Sequence, residues 1–332
     1  MTKTITFSIA AYNAENTLEK CLSSFLSLKN KAAVEVLIID DGSTDSTAAI
    51  AERYERENPE LYKLIRKENG GHGSTINTGV QKASGKYFRP IDSDDWVSPS
   101  TDEIIEKIED KDFDAIACDF LVKHLNDGKE ETRTYSFLKE NSEDFISRRK
   151  DWPATFPYHS IFYKTEILRQ NKIHFEEKCF YEDSEYTLYP LPFCESFFYT
   201  NEPLYVYTLG SSEQSVSFAN VMKHIDNQEK ILEKLFDFYT RNEKTDKSAY
   251  YRKRIFEVLN FYYKATMRRE WYEDSSLQER KRAFFKRLEK SNPGLFLSYV
   301  GETNLRKVQH LTKYRIDGLI AKTYNFLKKR QG

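Results

Sequence analysis

Cysteine is scarce in this chain. Cys21, Cys118, Cys179 and Cys194 are the only four in 332 residues, widely spaced, with no CxxC pair and no histidine at zinc-ligand spacing. That pattern excludes a disulfide-stapled scaffold and a zinc module, and free thiols in a reducing cytosol are its simplest account. Long apolar runs are missing too. None approaches the roughly 18 residues that a membrane-crossing helix needs. The first apolar run passes straight into Tyr12-Asn13, as a first strand does and a signal peptide does not. No GxGxxG follows it, which sets aside a dinucleotide-binding dehydrogenase. Net charge is nearly absent, at −1, but the balance conceals an asymmetry. Ala219–Gly332 holds 26 Lys+Arg against 14 Asp+Glu, a net +12, and the preceding 218 residues hold 25 against 38, a net −13. Length and charge together predict two domains, an acidic one over 1–218 and a basic one over 219–332. The basic half could face a membrane surface, an anionic acceptor or a partner, and a solvated helical surface explains it as well.

What is present begins as strand–helix alternation. Ile5–Ala10, Val34–Ile39, Leu61–Ile65 and Lys86–Ile91 are short apolar runs with strand character. Between them Leu18, Cys21, Leu22, Phe25 and Leu26 recur at helical spacing behind Asn13, placed as a cap. A second helix runs to about Glu57 behind the turn Asp40–Asp45, and Ser74–Ala83 reads as a third behind the loop Asn69–Gly73. Such alternation predicts an α/β fold with parallel strands, whose ligands sit beyond the carboxyl ends of the strands. Tyr12, Asp40, Asp41 and Asp92–Asp95 all fall at those ends. Further strands are expected near Ala115–Val122, Thr132–Phe137, Phe156–Lys164, Phe197–Tyr199 and Leu204–Tyr207, with helices over Asp102–Glu109 and Ile167–Lys172. From Val221 onward the period is helical, broken at Asn292-Pro293-Gly294, which predicts a small helical domain. Its last stretch, Asn304–Leu327, is basic and amphipathic, suited to a membrane surface or to docking on the front domain.

The stretch Gly85–Val97, GKYFRPIDSDDWV, ends its apolar run in Asp92, Ser93, Asp94 and Asp95. Two unit charges about 4 Å apart repel by about 4 kcal/mol at an effective dielectric near 20. A divalent cation offsets that cost, and hard Mg²⁺ or Mn²⁺ takes oxygen ligands while leaving room for phosphates. Alone, the triplet reads as well as an acidic turn before the helix start Ser98-Pro99. The other candidates have equally plain readings. Tyr12 can be a buried aromatic at a strand end, Asp40 and Asp41 helix caps, and His72 an exposed loop residue. Glu182-Asp183 can be the first turn of a helix, where the dipole favours acids.

Taken together the motifs say more. SIAAYNAENTLEKCLSSF, VLIIDDGSTDST, NGGHGSTINTGVQKASGKYF, IDSDDW and FYEDSEY, in that order, resemble the family 2 nucleotide-sugar glycosyltransferases with the GT-A fold, over roughly residues 3–210. The resemblance implies a Rossmann-like, mostly parallel sheet flanked by helices, followed by the helical C-terminal domain. It implies that Tyr12 stacks on the nucleobase beside the backbone of Ala10, and that Asp41, helped by Asp40, hydrogen-bonds the base. Asp92-Ser93-Asp94 is similar to the family's DXD motif. Asp92 would reach the ribose, with Ser93 among the donor-binding residues, and Asp94 and Asp95 with Asp92 would hold Mn²⁺ or Mg²⁺ on the diphosphate. Asp183 would be the general base, with Glu182 next in line. His72 and Asn77 would lie on the donor side, and Gln214, Ser215 and Ser217 could close over it. Two departures stand out: Ala10 replaces a frequent Pro, and Ile76 a frequent Arg, so a phosphate contact must come from elsewhere, His72 or Lys82.

The activity implied is inverting and metal-dependent. One sugar would pass from a nucleoside-diphosphate sugar, by resemblance a UDP-sugar, to a hydroxyl of a glycan, lipid-linked or glycoprotein acceptor. The QxxRW motif of processive members is absent, so one sugar per encounter is expected. A cytoplasmic place is expected, at the inner face of the membrane if the basic C-terminal helices make peripheral contact there. No nucleic-acid partner is implied, and a homo-oligomer stays open. The rival from another class is a non-catalytic sugar-nucleotide or glycan-binding module on the same fold.

Overall fold

Ile5, Phe7 and Ile9 alternate with Thr6 and Ser8, yet all five are buried. A strand covered on both faces belongs in the middle of a sheet between helical layers. The computed structural model, which describes residues 3–144, 152–210, 218–267 and 274–312, puts it there. The chain divides into two compact units, Met1–Gln214 and Ser215–Gly332.

The first unit opens with β1 (Ile5–Ala11), α1 (Leu18–Leu26), β2 (Val34–Asp40), α2 (Thr47–Glu57), β3 (Tyr62–Arg66), α3 (His72–Lys82) and β4 (Tyr87–Asp92). It continues through β5 (Trp96–Val97), α4 (Thr101–Ile108), β6 (Ala115–His124), β7 (Glu130–Arg133), β8 (Ser142–Asp144), β9 (Ile161–Lys164), α5 (Thr165–Gln170), α6 (Asp183–Tyr186) and β10 (Phe197–Leu209). The sheet runs β3-β2-β1-β4-β9-β6-β10-β5, with β7 on β6 and β8 on β10. It is mostly parallel, but β9 lies antiparallel between β4 and β6, and β5 antiparallel on β10. Register matters more than order here. Ala10 pairs with Asp92 and Ala11 with Asp40, so the acidic ends of β2 and β4 flank the end of β1. Beneath, Phe7 packs on Phe25 with ring centroids 5.1 Å apart. Each such fully buried side chain contributes roughly 1.5–3 kcal/mol.

Several expected elements are redrawn. Asn13 does not cap α1, which starts at Leu18; its side chain instead accepts a hydrogen bond from Thr44 N at 2.9 Å. The two strands expected around Asn201-Glu202-Pro203 are one, β10, with irregular register at Pro203. Proline has no N–H for the ladder, so the strand bulges there and goes on. The aromatic run 156–164 is strand only from Ile161, because Tyr158–Ser160 forms a tight 3-10 turn first.

The second unit comprises α7 (Phe218–Lys223), α8 (Ile225–Asn242), α9 (Ser248–Ala265), α10 (Ser275–Ser291), α11 (Pro293–Gly301) and α12 (Asn304–Leu311). Ile231, Leu232, Leu235 and Phe236 of α8 are buried, as are Tyr251, Ile255, Leu259 and Tyr262 of α9. Glu229 is buried among them because Tyr262 Oη donates to it at 2.8 Å and Arg280 Nε at 2.9 Å. The Asn-Pro-Gly break starts a helix rather than a loop. Asn292 Oδ1 accepts from Leu295 N at 2.8 Å, and Pro293 occupies the first turn, where no N–H is missed. The expected helix beyond Leu311 and the Gln214–Ser217 loop lie outside the described residues. Among the described residues no helix is long and apolar enough to cross a membrane.

Candidate functional site

The loops beyond β1, β2 and β3 are fastened to one another by side chains the motifs supply. Asn13 takes φ 49°, and its N–H donates to Ser43 Oγ at 3.0 Å. Tyr12 is thereby left 53% exposed, a flat ring available to stack on a planar ligand. Asp40 accepts from Ser43 N at 3.0 Å and shapes the turn at Gly42. Asp41 is buried, yet its carboxylate accepts from Gly70 N (3.0 Å), Gly71 N (2.8 Å), Ser74 Oγ (3.3 Å) and Lys67 Nζ (2.6 Å). Four donors, one of them cationic, make a buried charge tolerable. Gly71, at φ +82°, supplies the left-handed turn that starts α3 at His72.

His72 then bridges two carboxylates. Its Nδ1 lies 2.5 Å from Glu182 Oε1 and its Nε2 3.0 Å from Asp92 Oδ1. Tyr158 Oη approaches both His72 Nε2 and Asp92 Oδ1 at 3.4 Å. Burial works to lower the His72 pKa, but the hydrogen bonds to Asp92 and Glu182 outweigh it and raise it well above the ordinary value. Glu182 is buried, and its second oxygen, Oε2, has no hydrogen-bond partner among the described residues. A buried polar atom left in that state costs about 1–3 kcal/mol. Asp183 follows as the first residue of α6 and is half-buried.

The acidic turn is clamped from β10. Asp95 is buried and accepts from Tyr205 Oη (2.7 Å), Thr208 N (2.7 Å) and Thr208 Oγ1 (2.9 Å). Burial, then the charges of Asp94 and Asp92, still push its pKa well above the carboxylate range. Asp94 is exposed beside the half-buried Ser93. Desolvation and the charge of Asp92 push it up to about 6. Such crowding of like charges is what a cation relieves. Asp92, Asp95 and His159 each offer one donor atom within 4.8 Å of the others, two carboxylate oxygens and one imidazole nitrogen, a mixed set of the kind that holds a divalent ion. Asp94 is not part of that group, and His159 had no signal in the sequence. Arg89 was equally invisible. It is buried on β4 and donates from Nη1 to the carbonyls of Tyr158 (2.5 Å) and Ile161 (2.8 Å), holding the turn that carries His159.

Asn77 sits apart from these groups. Its amide is engaged with Phe175 at both ends (Nδ2 to O, 2.9 Å; Oδ1 from N, 3.0 Å) and with Glu177 (3.0 Å). Ala10 is half-buried beside Asp92, Ile76 is buried, and Lys82 is exposed at the far end of α3.

A curled, mostly parallel sheet with carboxylates gathered beyond its strand ends is the frame of a nucleotide-sugar glycosyltransferase. The sequence model of Glycosyl transferase family 2 matches residues 6–173, just over half of the chain, and the chain belongs to that family. EpsH of Bacillus subtilis (strain 168), named as a glycosyltransferase, is 24% identical over 281 residues, covering 81% of this chain and 78% of EpsH. Among solved structures, S. aureus TarS 1–349 in complex with UDP is similar with a TM-score of 0.71 at 19% identity, over 97% of this chain and 91% of that one. The same protein has been solved with UDP-GlcNAc, with a TM-score of 0.66 at 19% identity, over 96% of this chain and 92% of that one. The mannosyltransferase PcManGT from Pyrobaculum calidifontis, in complex with GDP-Man and Mn²⁺, gives 0.51 at 16% identity, over 98% of this chain and 88% of that one. The chain is therefore a family 2 glycosyltransferase of GT-A fold that acts on nucleotide sugars.

Proposed function

We propose that this enzyme moves one sugar, with inversion, from a UDP-sugar to a hydroxyl of a glycan, lipid-linked or glycoprotein acceptor, in a metal-dependent reaction. The observation that carries the reading is that Asp92, bridged through His72 to Glu182, and Asp95, clamped from β10, are gathered from four separate stretches of the chain. Similarity to TarS, solved with UDP and with UDP-GlcNAc, favours uridine diphosphate as carrier, and PcManGT with Mn²⁺ favours a metal.

Tyr12 stacks on the base, and Asp40 and Asp41 hold the loops that frame it. Asp92, with His159 and the neighbouring Asp94 and Asp95, holds Mn²⁺ or Mg²⁺. When bound, that ion neutralises charge on the departing diphosphate. A sugar hydroxyl is a poor nucleophile at neutral pH, and Asp183 takes its proton, a contribution of about 10²–10⁴-fold. Attack from the face opposite the leaving group inverts the anomeric centre. The basic unit from residue 219 serves the acceptor or an anionic membrane surface.

The test is a thermal-shift screen of UDP- and GDP-sugars with Mn²⁺, then nucleotide release with and without a chelator. A donor that stabilises the protein only with the ion, and turnover lost on chelation, is the expected outcome. No shift with any donor, or turnover indifferent to the chelator, removes the reading.

A further inference from the structure

We infer that Glu182 selects the donor sugar: its Oε2 accepts a hydrogen bond from one hydroxyl of the transferred sugar, while His72 holds its other oxygen. The inference rests on the nucleotide-sugar reading above and adds a contact that the general base and the metal do not account for.

Glu182 Oε2 is buried and lacks a hydrogen-bond partner among the described residues, in a residue whose other oxygen sits 2.5 Å from an imidazole nitrogen. Folding leaves such an oxygen unpaired only at a net loss, so a donor from outside the chain is what the position needs. The remaining surroundings say which part of the ligand that donor belongs to. Through the His72 ring, Glu182 is one residue removed from Asp92, the carboxylate at the end of β4. It also directly precedes Asp183, the base of the proposed reaction. Between a diphosphate held at Asp92 and the base Asp183 lies the transferred sugar, whose anomeric carbon is the one attacked. A diphosphate is anionic and offers no hydrogen to a carboxylate, whereas a sugar hydroxyl does.

The side chain is also held still. His72 opens α3, and the adjacent Gly73 lets Glu182 Cγ pack so close that a Cβ there would come within 3.2 Å of it. A carboxylate fixed in this way discriminates sharply, because a ligand lacking the hydroxyl leaves it unpaired again. Glu182 is then a specificity contact, and the proton-accepting role stays with its neighbour.

The experiment is calorimetric titration in Mn²⁺ of the full chain with UDP and with whichever of UDP-GlcNAc, UDP-glucose, UDP-galactose and GDP-mannose binds. The free nucleotide of GDP-mannose replaces UDP if that donor is chosen. Glu182→Gln should weaken the sugar nucleotide roughly 10- to 100-fold and leave the free nucleotide unchanged, as for a hydrogen bond to a charged group. One of the 2-, 3-, 4- or 6-deoxy forms of that donor should bind wild type worse by the same factor and bind Glu182→Gln no worse than its parent. The deoxy series on wild type needs no variant, so it decides even if the substituted protein fails to fold. Equal loss for nucleotide and sugar nucleotide, or a flat deoxy series, overturns the inference while leaving donor binding intact. Failure of every donor to bind overturns the nucleotide-sugar reading and this inference with it.

Discussion

Glu182 and Asp183 are adjacent in the chain but differ in surroundings: one is locked against His72, the other half-buried at the start of α6. Asp183→Asn should therefore keep donor affinity near the wild-type value and cut turnover by about 10²–10⁴-fold, read as kcat against donor Kd. A drop of only a few-fold would move the base elsewhere. A further carboxylate, on β6, makes a prediction about pH. Asp119 on β6 is buried, with Tyr199 Oη donating to it at 2.7 Å, and burial pushes its pKa up to about 6. The folded protein thus keeps a proton that the unfolded chain releases near the ordinary 3.8 of an aspartate. Stability from this group falls as pH rises between those values and stays low above them. Asp119→Asn keeps the acceptor and removes the charge, so it should raise Tm at pH 8 and give no gain below pH 4. An equal change at both would refute this. Asp41 and Asp92 stand out in the sequence as carboxylates at the ends of apolar strand runs, and Glu182 only through the family resemblance of FYEDSEY. Tyr158, His159 and Tyr205 do not, since only the placing of β9 beside β4 and of β10 beside β6 brings them to the acidic turn, and Arg89, though on β4, shows its role only through the carbonyls of Tyr158 and Ile161 that it holds.

The element that ties the site together is the first turn of α3. A Cβ on Gly73 would lie 2.0 Å from the Glu176 carbonyl oxygen, and backbone cannot step aside as a flexible side chain can. Gly73→Ala should cost about 1–3 kcal/mol, the usual range for overpacking. It should weaken donor binding as well, because His72 is next in the chain and Glu182 Cγ is in contact. Gly301→Ala, whose added carbon meets nothing within 4 Å, is the control expected to leave both unchanged. Gly73 read in sequence as part of a loop, and its glycine is explained only by the segment 176–182 crossing over it. The early strands and helices were legible because each repeats an apolar period that burial enforces. β10 was not, because Pro203 signals a stop that the bulge absorbs.

On the scale of the whole molecule, the charge asymmetry and the change from strand alternation to helical period both point to a boundary near residue 218, and the chain divides between Gln214 and Ser215. We propose that the first unit holds the donor machinery complete. A chain ending at residue 214 should then bind the sugar nucleotide with unchanged Kd and lose transfer to its acceptor. Loss of donor affinity in the shortened chain would show that the helical unit belongs to the donor site or to the fold's stability. The change to a helical period is a feature of the sequence, whereas the pairing of the buried Glu229 with the half-buried Arg280, which joins residues far apart in the chain, is not.

Asp41 has its hydrogen bonds made before any ligand arrives. The loops beyond β1, β2 and β3 are therefore already shaped, and nucleotide capture should require little ordering of the backbone there. Its calorimetric signature should be that of a surface being covered, a modest negative heat-capacity change, and not the large one of a peptide folding around its guest.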